Sequence, residues 1–336
     1  MNKKQFKAYR VYENSDGTFT GKIEIRNENE LPAGDLLIQV HYSSLNYKDA
    51  LSAYGNKGVT RSYPHTPGID SSGVVVSSSV SEYKPGDAVI VTSYDLGMNT
   101  DGGFGEYIRV PASWAIPLPE GLSLRDSMIL GTAGLTAAQG TDQLIRNGIT
   151  PGSGPVLVTG AHGSVGSLAV TLLAKLGYQV WAGVSETGQN EELLRQLGAS
   201  EIVDREMTHD LSHKPLLRAQ WAGAIDVIGG NTLSTIIRAC KSDGVIVVVG
   251  NIESPDLSVN VFPFILRSVR LIGVATQDTP MEYRKRLWEK LGGEWHLNLP
   301  DELISEITMD EIGHYLSIQI NKKSHGRIIL KHETNQ

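Results

Sequence analysis

Cysteine is nearly absent from this 336-residue chain, in which Cys240 is the single example. One thiol cannot form an internal disulfide, and it cannot supply the several thiolates that a structural zinc site requires. The sequence therefore excludes a disulfide-stabilised module and a cysteine-rich zinc module. It also favours a protein that works in a reducing compartment.

Long apolar runs and long runs of one charge are missing as well. No stretch of about 18 apolar residues is present, and the basic start MNKKQFKAYR leads into no apolar segment of secretory length. The sequence therefore predicts a cytoplasmic protein with no membrane partner. The chain has 30 basic and 37 acidic residues, with a formal charge of -7 and no block of like charges, so a nucleic-acid partner is not predicted.

What remains is the composition of an ordinary folded protein, with 40% hydrophobic and 20% charged residues. The length exceeds a usual single domain of about 100–200 residues, so two domains are predicted. Up to residue 127 the sequence consists of short apolar runs separated by turn residues, which is typical of a mainly β region. These runs lie at 36–41, 74–76, 88–91 and 107–110.

From about residue 128, predicted strands alternate with amphipathic helices, which is the pattern of a doubly wound parallel sheet of the Rossmann type. The predicted strands are 155–159, 179–184, 201–204, 224–228, 245–250 and 269–274, with helices at 190–197 and 232–240. The helix after the first strand has apolar residues at helical spacing and ends at Gly177. An apolar run at 327–330 predicts a last strand that returns to the first domain.

A glycine-rich loop, TGAHGSVG, covers residues 159–166 between the first of these strands and its helix. A dinucleotide pyrophosphate needs backbone N–H groups at close range and a helix N-terminus, and glycines permit both. Gly163 and Gly166 are in register with the G-x-G-x-x-G fingerprint, whereas Ala161 replaces its first glycine. Glycines that serve only helix packing are the alternative. The predicted cofactor contacts here are Gly160, His162, Gly163, Ser164, Val165 and Gly166.

The ribose end of this cofactor site is predicted after the second strand, at Ser185 and Glu186. An acidic residue there can bind both ribose hydroxyls of NAD, whereas NADP needs a cation or several donors for its extra phosphate. Glu186 therefore favours NADH. The alternative is a solvated carboxylate at the start of the next helix, where the helix dipole stabilises it.

Several phrases of the sequence occur in a fixed order. They are SLNYKD at 44–49, PGIDSSG at 67–73, GGFGEY at 102–107 and GTAGLT at 131–136. With the glycine loop they resemble the quinone oxidoreductase subgroup of the medium-chain dehydrogenase/reductase superfamily. The NYKD phrase and PFILR at 263–267 are similar to its YhdH/YhfP branch, which includes the acrylyl-CoA reductases. The resemblance covers nearly the whole chain.

The resemblance implies a mainly β, GroES-like catalytic domain built from residues 1–127 and 278–336. A Rossmann domain, residues 128–277, is inserted between them, and the active site is expected in the cleft. NADPH is the implied cofactor, but the position of Glu186 is commonly basic in that family, so NADH stays open. A homodimer is also implied, with the strand at 269–274 paired edge to edge, which covers an otherwise exposed sheet edge.

The resemblance also bears on zinc. Alcohol dehydrogenases of the superfamily hold zinc with a cysteine in the first phrase and a His-Glu pair in the second. The corresponding positions here are 46–49 and Ile69-Asp70, which offer no thiolate and no imidazole, while a catalytic zinc needs about three protein ligands. His65 is interpreted as a packed loop residue. A zinc-free reductase of an activated carbon–carbon double bond is therefore predicted, in which negative charge develops on the carbonyl oxygen.

The catalytic candidates are Asn46, Tyr47, Asp49 and Asp70. Asn46 is predicted to orient the substrate or the nicotinamide ribose, and Tyr47 to donate a hydrogen bond or a proton. Asp49 and Asp70 are predicted to hold Asn46, Lys48 or a water in place. The alternative for Asp49 is that it caps a helix that starts at the next residue. Lys48 either meets a phosphate or is solvated.

Further cofactor contacts are predicted outside the carboxyl ends of the fifth and sixth strands, where ligands of doubly wound sheets bind. These are Gly250, Asn251 and Ala275, and the GTAGLT phrase adds Thr136. Arg327 either reaches the adenosine or its phosphate, as basic residues near the C-terminus do in similar reductases, or it is a surface cation.

Three functions compete at this point. The first is NADPH-dependent reduction of acrylyl-CoA to propionyl-CoA, and the second is reduction of quinones or enones on the same scaffold. The third is a nicotinamide-binding sensor without turnover. A coenzyme A site needs cations for its phosphates. The candidate cations are Lys48, Lys57, Arg61 and Arg109, and nothing in the sequence shows whether their side chains converge on one site.

Overall fold

The computed structural model describes residues 4–185, 191–212 and 214–333, which divide into two compact units. The first unit contains the described residues within 1–132, 277–293 and 304–336, and the second contains those within 133–276 and 294–303. The chain first passes from one unit to the other after residue 132, whereas the sequence predicted this boundary after residue 127. Residues 294–303 belong to the second unit, although the sequence alone assigned them to the first.

Strands and helices follow one another along both units. The strands are β1 (Gln5–Glu13), β2 (Phe19–Asn27), β3 (Leu36–Ser44), β4 (Asp70–Ser78), β5 (Ala88–Thr92), β6 (Tyr107–Val110), β7 (Ala115–Pro117), β8 (Val156–Thr159), β9 (Val180–Gly183), β10 (Glu201–Val203), β11 (Trp221–Asp226), β12 (Cys240–Val248), β13 (Arg270–Gly273), β14 (Ile304–Ile307) and β15 (Arg327–Lys331). The α-helices are α1 (Tyr47–Ala53), α2 (Leu124–Arg146), α3 (Ser164–Lys175), α4 (Glu191–Gln196), α5 (Arg205–Thr208), α6 (Gly230–Arg238), α7 (Phe262–Arg267), α8 (Met281–Gly292) and α9 (Ile312–Ile320). Short 3-10 helices cover Glu28–Glu30, Ala112–Trp114, Pro151–Ser153, Asp301–Leu303 and Met309–Glu311.

The first unit is built on a mostly antiparallel sheet with the strand order β14-β15-β3-β4-β5-β7, and β6 also pairs with β3. The last strand, β15, pairs antiparallel with β3, so the end of the chain returns to the first unit as predicted. The β1–β2 hairpin, which the sequence analysis did not identify, forms a separate two-stranded sheet.

The short helix α1 is anchored in the first unit by apolar contacts. Leu45 and Ala50 are fully buried and share one apolar cluster with Ile312 and Leu316 of α9 and Leu330 of β15. Complete burial of a large aliphatic side chain contributes about 1.5–3 kcal/mol. This packing fixes the segment that carries the NYKD phrase.

The second unit contains the parallel sheet that the sequence predicted, with the strand order β10-β9-β8-β11-β12-β13. Every residue of β8 and β11 is buried, as expected for central strands covered on both faces. The direction of winding reverses between β8 and β11, and ligands of such sheets bind outside the carboxyl ends of the strands at this point.

The longest helix, α2, is interrupted at Gly131, whose backbone (φ 52°, ψ −154°) is not helical. Only glycine adopts this conformation without strain, because a Cβ atom would clash with the backbone.

Within the described parts of the chain, no helix combines the length and apolar character needed to cross a bilayer.

Candidate active site

The centre of the candidate site in the first unit is Asp70, the fully buried first residue of β4. Its Oδ2 accepts hydrogen bonds from Ser44 Oγ at 2.6 Å and from Asn46 Nδ2 at 2.9 Å. Thr132 donates twice, from its backbone N–H to Oδ2 at 2.8 Å and from its hydroxyl to Oδ1 at 2.5 Å. The structure thus brings together the phrases SLNYKD, PGIDSSG and GTAGLT around the carboxylate of Asp70.

Gly131 allows Thr132 to reach this carboxylate. A Cβ atom at Gly131 would lie 2.5 Å from Ser44 Oγ and 2.6 Å from Asp70 Oδ2, closer than any real contact of such an atom. The turn at Gly131 also directs the backbone N–H of Thr132 toward Asp70. The glycine is therefore required both by its positive φ and by the lack of space.

Asn46 is the N-cap residue of α1, and Asp49 is the third residue of that helix. The backbone N–H of Asn46 donates to Asp49 Oδ2 at 2.8 Å, which forms one half of a capping box. The alternative in which Asp49 is itself the N-cap of a helix starting at the next residue is therefore wrong, because the helix begins at Tyr47. Asp49 lies in the first turn of this helix.

The Asp49 carboxyl also joins α1 to the loop before β4. Its Oδ1 accepts the backbone N–H groups of Gly68 at 3.1 Å and Ile69 at 2.8 Å. Burial raises the pKa of Asp49 to about 7, and the N–H donors oppose that rise by stabilising the carboxylate. Asp49 therefore positions the Asn46 segment and the start of β4 relative to each other.

Tyr47 and Lys48 form the first turn of α1 and are both half-buried. No hydrogen bond of the Tyr47 hydroxyl is found among the described residues. Lys48 Nζ donates to Gln277 Oε1 at 2.6 Å, and burial lowers the pKa of this lysine. The interpretation of Lys48 as a simply solvated residue is therefore wrong.

Arg327 is fully buried at the start of β15. Its Nε donates to the carbonyl oxygen of Ile129 at 2.5 Å, and its Nη2 to that of Met128 at 3.3 Å. Burial lowers its pKa to about 10, while the negative charge of Asp70 acts in the opposite direction. The surface-cation alternative is wrong, because Arg327 is fully buried. Its Nη1 has no hydrogen-bond partner among the described residues, and the predicted contact with the adenosine or its phosphate stays a prediction.

Three members of the Asp70 network were not predicted as site residues from the sequence: Ser44, Thr132 and Ser93. The Ser93 hydroxyl lies 2.8 Å from Thr132 Oγ1, and Ser93 and Tyr94 both have positive φ angles, 64° and 52°. A positive φ costs conformational free energy in a residue other than glycine, so two such residues in a row occur only where the surrounding structure imposes this conformation. Ser44 and Thr132 belong to phrases that the sequence did identify, whereas nothing in the sequence marks Ser93.

The residues at the superfamily's zinc positions do not fit a zinc ion. The oxygens of Asp49 and Asp70 accept N–H and O–H donors, which leaves no ligand set of the kind that zinc uses. His65 is buried, and its backbone pairs with Val11, as expected for a packed loop residue. Over the described ranges, no group of three or more His, Cys, Asp or Glu side chains is suited to hold a metal ion.

In the second unit, the glycine loop has the geometry of an anion site. Helix α3 begins at Ser164 with Gly163 as its N-cap, which carries no side chain to bond the first N–H groups. A Cβ atom at Gly166 would overlap the carbonyl oxygen of Gly160, so glycine is required for close packing of the helix on the loop. Together these features fit a pyrophosphate.

Asp226, at the end of β11, ties this loop to the neighbouring strand and was not identified from the sequence. Its Oδ1 accepts the Thr159 hydroxyl at 2.6 Å, and its Oδ2 accepts the N–H of Gly229 at 2.8 Å. The Thr159 hydroxyl in turn accepts the N–H of Val227 at 3.0 Å. Burial raises the pKa of Asp226. The two strands on either side of the winding reversal are thereby joined at their carboxyl ends.

The remaining predicted cofactor contacts lie along this carboxyl edge. Ser185, Asn251 and Ala275 are exposed after β9, β12 and β13. A Cβ at Gly250 would lie 2.6 Å from the Val227 carbonyl oxygen, so this turn also requires a glycine. Within the loop, His162, Ser164 and Val165 are half-buried. Glu186 lies outside the described residues.

Thr136 lies beside the residues that follow the sixth strand of the parallel sheet, β13. Its hydroxyl lies 2.8 Å from the hydroxyl of Thr276, the residue after Ala275. Thr276 also donates to Gln139 Oε1 at 2.7 Å. The GTAGLT phrase therefore serves both units, with Thr132 in the Asp70 network and Thr136 beside Ala275.

Comparison with known proteins identifies the family. The alcohol dehydrogenase GroES-like domain matches residues 32–120, and the zinc-binding dehydrogenase family matches residues 164–292. The chain is 40% identical over 332 residues to the putative quinone oxidoreductase YhfP of Bacillus subtilis, covering 97% of this chain and 98% of that protein. It is 38% identical over 301 residues to the acrylyl-CoA reductase AcuI of Ruegeria pomeroyi, covering 90% and 91%.

Solved structures give the same result. The yhdH oxidoreductase of Salmonella enterica in complex with NADP superposes with a TM-score of 0.92 at 38% identity, covering 97% of this chain and 100% of that one. The Bacillus subtilis protein yhfP with NAD bound gives a TM-score of 0.93 at 38% identity, covering 98% and 100%. The chain is therefore an oxidoreductase of the medium-chain dehydrogenase/reductase family, in the branch that contains YhfP and the acrylyl-CoA reductases.

Proposed function

We propose that this oxidoreductase uses NADPH to reduce an activated carbon–carbon double bond, with acrylyl-CoA as substrate and propionyl-CoA as product. The observation that carries the proposal is the Asp70 network, which fills the superfamily's zinc positions with hydrogen-bonding groups. Conjugate reduction of a thioester needs fixed hydrogen-bond donors at the carbonyl oxygen and does not need a metal.

The residues of the second unit that would hold the cofactor are those of the glycine loop and the carboxyl edge. The pyrophosphate would bind the N–H groups at Gly163 to Gly166, while Ser185, Asn251 and Ala275 line the exposed ends of the neighbouring strands. When bound, the reduced nicotinamide supplies the hydride. NADPH is preferred in the proposal because a similar protein binds NADP, although another binds NAD.

In the first unit, Asn46 and Tyr47 are the proposed substrate-facing residues. The Asn46 amide is oriented by its donation to Asp70, so its own carbonyl oxygen and second N–H are held in a fixed direction. The Tyr47 hydroxyl, half-buried at the start of α1, is a suitable proton donor for the α-carbon of the product. Asp49 and Asp70 act as positioning residues for this segment.

Reduction of a quinone or a simple enone is the second candidate, since one similar protein is named a quinone oxidoreductase. Two cations proposed for coenzyme A phosphates already have carboxylate partners: Lys57 pairs with Glu13 at 2.6 Å and Arg109 with Glu28 at 3.2 Å. This observation weakens the coenzyme A assignment without affecting the reductase assignment. The non-catalytic sensor is the third candidate.

The deciding experiment is steady-state oxidation of NADPH, with NADH in parallel, using acrylyl-CoA, but-3-en-2-one and 1,4-benzoquinone as acceptors. We expect the highest kcat/KM with acrylyl-CoA and NADPH. Preference for the quinone would replace the thioester assignment with the second candidate. Dinucleotide binding without turnover of any acceptor would favour the sensor.

A cytoplasmic location stays a prediction.

We also propose that the chain forms a homodimer through β13. In the described sheet β13 is an edge strand, paired with β12 alone. Large apolar side chains are exposed on it and on α7, among them Leu271 (37%), Ile265 (65%) and Leu266 (62%). An unpaired apolar edge of this kind is normally covered by a partner.

Light scattering coupled to gel filtration tests the dimer. We expect the wild-type protein at twice the chain mass of 36.4 kDa and the double variant Ile265→Glu/Leu271→Glu at the monomer mass. Leu211→Glu is the matched control, because Leu211 is also exposed (70%) but lies outside α7 and β13. A monomeric wild type, or a double variant that stays dimeric, would contradict the proposal.

A further inference from the structure

Lys48 is a half-buried ammonium group held by a neutral partner. It is the second residue of α1, and its Nζ donates to Gln277 Oε1 at 2.6 Å. The backbone of Gln277 is held in turn, since its carbonyl oxygen accepts Arg284 Nη2 at 3.0 Å. Across the described ranges, no carboxylate lies within ion-pair distance of Lys48. Its flexible side chain is therefore held in one direction without its charge being neutralised.

The surroundings of Lys48 disfavour its charge more than they favour it. Burial lowers its pKa, and the negative charges of Asp49, Asp278 and Asp70 oppose that effect only in part. Asp49 and Asp70 are already occupied by N–H and O–H donors. An additional anionic oxygen next to Lys48 would therefore be stabilised by a charge that the protein has already partly desolvated.

Two arginines of the same unit are less suited to this part, because both are fully buried whereas Lys48 is half-exposed. Arg284 directs Nη1 at the carbonyl oxygen of Thr92 at 2.6 Å. Arg327 directs Nε and Nη2 at carbonyl oxygens of α2, and its Nη1 has no hydrogen-bond partner among the described residues. An ammonium has three N–H donors, and Gln277 takes one of those of Lys48. Lys48 thus retains donors for a ligand.

We propose that Lys48 is a catalytic residue that donates a hydrogen bond to the carbonyl oxygen of the substrate, and that Gln277 is the residue that positions it. The inference rests on the proposed reductase function. A hydride from a bound reduced nicotinamide would form a C–H bond at the β-carbon and leave the nicotinamide oxidised. The π electrons of the C=C bond would then form a double bond between the α-carbon and the carbonyl carbon, and the π electrons of the carbonyl group would move onto its oxygen. The resulting enolate oxygen is held by the Lys48 ammonium until the α-carbon takes up a proton.

The test compares Lys48→Met, which removes the charge at similar length, with Lys48→Arg, which keeps it. We expect kcat with but-3-en-2-one and NADPH to fall about a hundred- to thousandfold in Lys48→Met, the usual loss for one oxyanion donor. Lys48→Arg should recover at least about a tenth of the wild-type rate, since the cation is retained. The dissociation constant of NADPH, from its fluorescence, should stay unchanged in both. Lys84→Met, at an exposed lysine in the turn between β4 and β5, is the matched control and should behave as wild type.

Gln277→Leu tests the positioning role, because leucine has a similar size and accepts no hydrogen bond. We expect kcat to fall about tenfold with little change in KM, which is less than the roughly hundredfold loss that a misplacement of about 1 Å can cause, because Lys48 itself is retained. Wild-type turnover together with a Lys48→Met rate within threefold of it would overturn the inference alone. Equal losses in Lys48→Met and Lys48→Arg would also overturn it, since they would show a steric role. Absence of wild-type turnover would overturn the reductase function and the role of Lys48 with it.

Discussion

Asp70→Ala is expected to destabilise the first unit by about 3–5 kcal/mol, the range seen when one partner of a buried charged network is removed. The side chain accepts hydrogen bonds from Ser44, Asn46 and both donors of Thr132. Each buried donor that loses its acceptor costs about 1–3 kcal/mol. Turnover should fall about a hundredfold as well, because the Asn46 amide loses the acceptor that orients it.

Asp70→Asn separates the charge from the hydrogen bonds. The amide oxygen can replace Oδ2 toward Ser44, Asn46 and the Thr132 N–H, and its NH2 group can face the Thr132 hydroxyl, which is able to accept. The loss that remains is the negative charge that opposes the effect of burial on Arg327. We therefore expect Asp70→Asn to be less destabilised than Asp70→Ala.

Urea unfolding followed by circular dichroism measures both variants. Asp310→Ala, at an exposed aspartate of the same unit, is the control and should change the free energy of unfolding by no more than about 0.5 kcal/mol. An Asp70→Ala protein as stable as this control would show that the hydrogen bonds around Asp70 are not the element that holds the three phrases together.

Gly166→Ala is expected to abolish measurable NADPH binding and to lower the melting temperature. A Cβ atom there would overlap the Gly160 carbonyl oxygen and lie 2.8 Å from the Cα of Ala161, both backbone atoms that cannot turn aside. Helix α3 would have to move away from the loop, and the N–H groups at its start would move with it. Overpacking at such a contact costs about 1–3 kcal/mol.

Two other glycines of the second unit make the test specific. At Gly163 a Cβ would lie 3.2 Å from the Gly160 carbonyl oxygen, and the backbone (φ −75°) suits alanine. Gly163→Ala should therefore keep the melting temperature and only weaken NADPH, by placing a methyl group where the pyrophosphate approaches. Gly152→Ala, in an exposed turn with no atom within 3.4 Å of the new Cβ, should change neither quantity.

Fluorescence titration with NADPH and differential scanning fluorimetry give the two measurements. If Gly166→Ala bound NADPH as tightly as Gly152→Ala, the close approach of α3 to the loop would not be what forms the anion site. If Gly163→Ala lost stability as Gly166→Ala does, both glycines would serve packing alone. The second result would support the alternative that the sequence left open for this loop.

The sequence by itself determined the parallel sheet and its glycine loop. Their signals are local, since a strand of four to six apolar residues, a glycine turn and a helix with apolar residues at helical spacing are all contained within a few tens of residues. The β8–loop–α3 segment was predicted nearly to the residue. The return of β15 to the first unit was also predicted, from an apolar run near the end of the chain.

The sequence missed what depends on distant partners. The β1–β2 hairpin, the carboxylate of Asp226 and the hydroxyl of Ser93 were not identified, because each gains its meaning from a contact far along the chain. Arg327 is the clearest case. Its charge suggested a surface or a phosphate, and only its burial against Met128 and Ile129 shows what the guanidinium contacts.

The candidate catalytic residues divide in the same way. The order of the phrases identified Asn46, Tyr47, Asp49 and Asp70 as a group, since residue types at fixed spacing can be read in one dimension. Only the tertiary structure decided which donors each carboxylate binds. Asp70 accepts hydrogen bonds from Ser44, Asn46 and Thr132, whereas Asp49 lies inside α1. The structure also decided that Lys48 is held by Gln277. The physical reason is that hydrogen-bond partners and desolvation are properties of the folded surroundings, which bring together residues far apart in the chain, such as Lys48 and Gln277 at a separation of 229 positions.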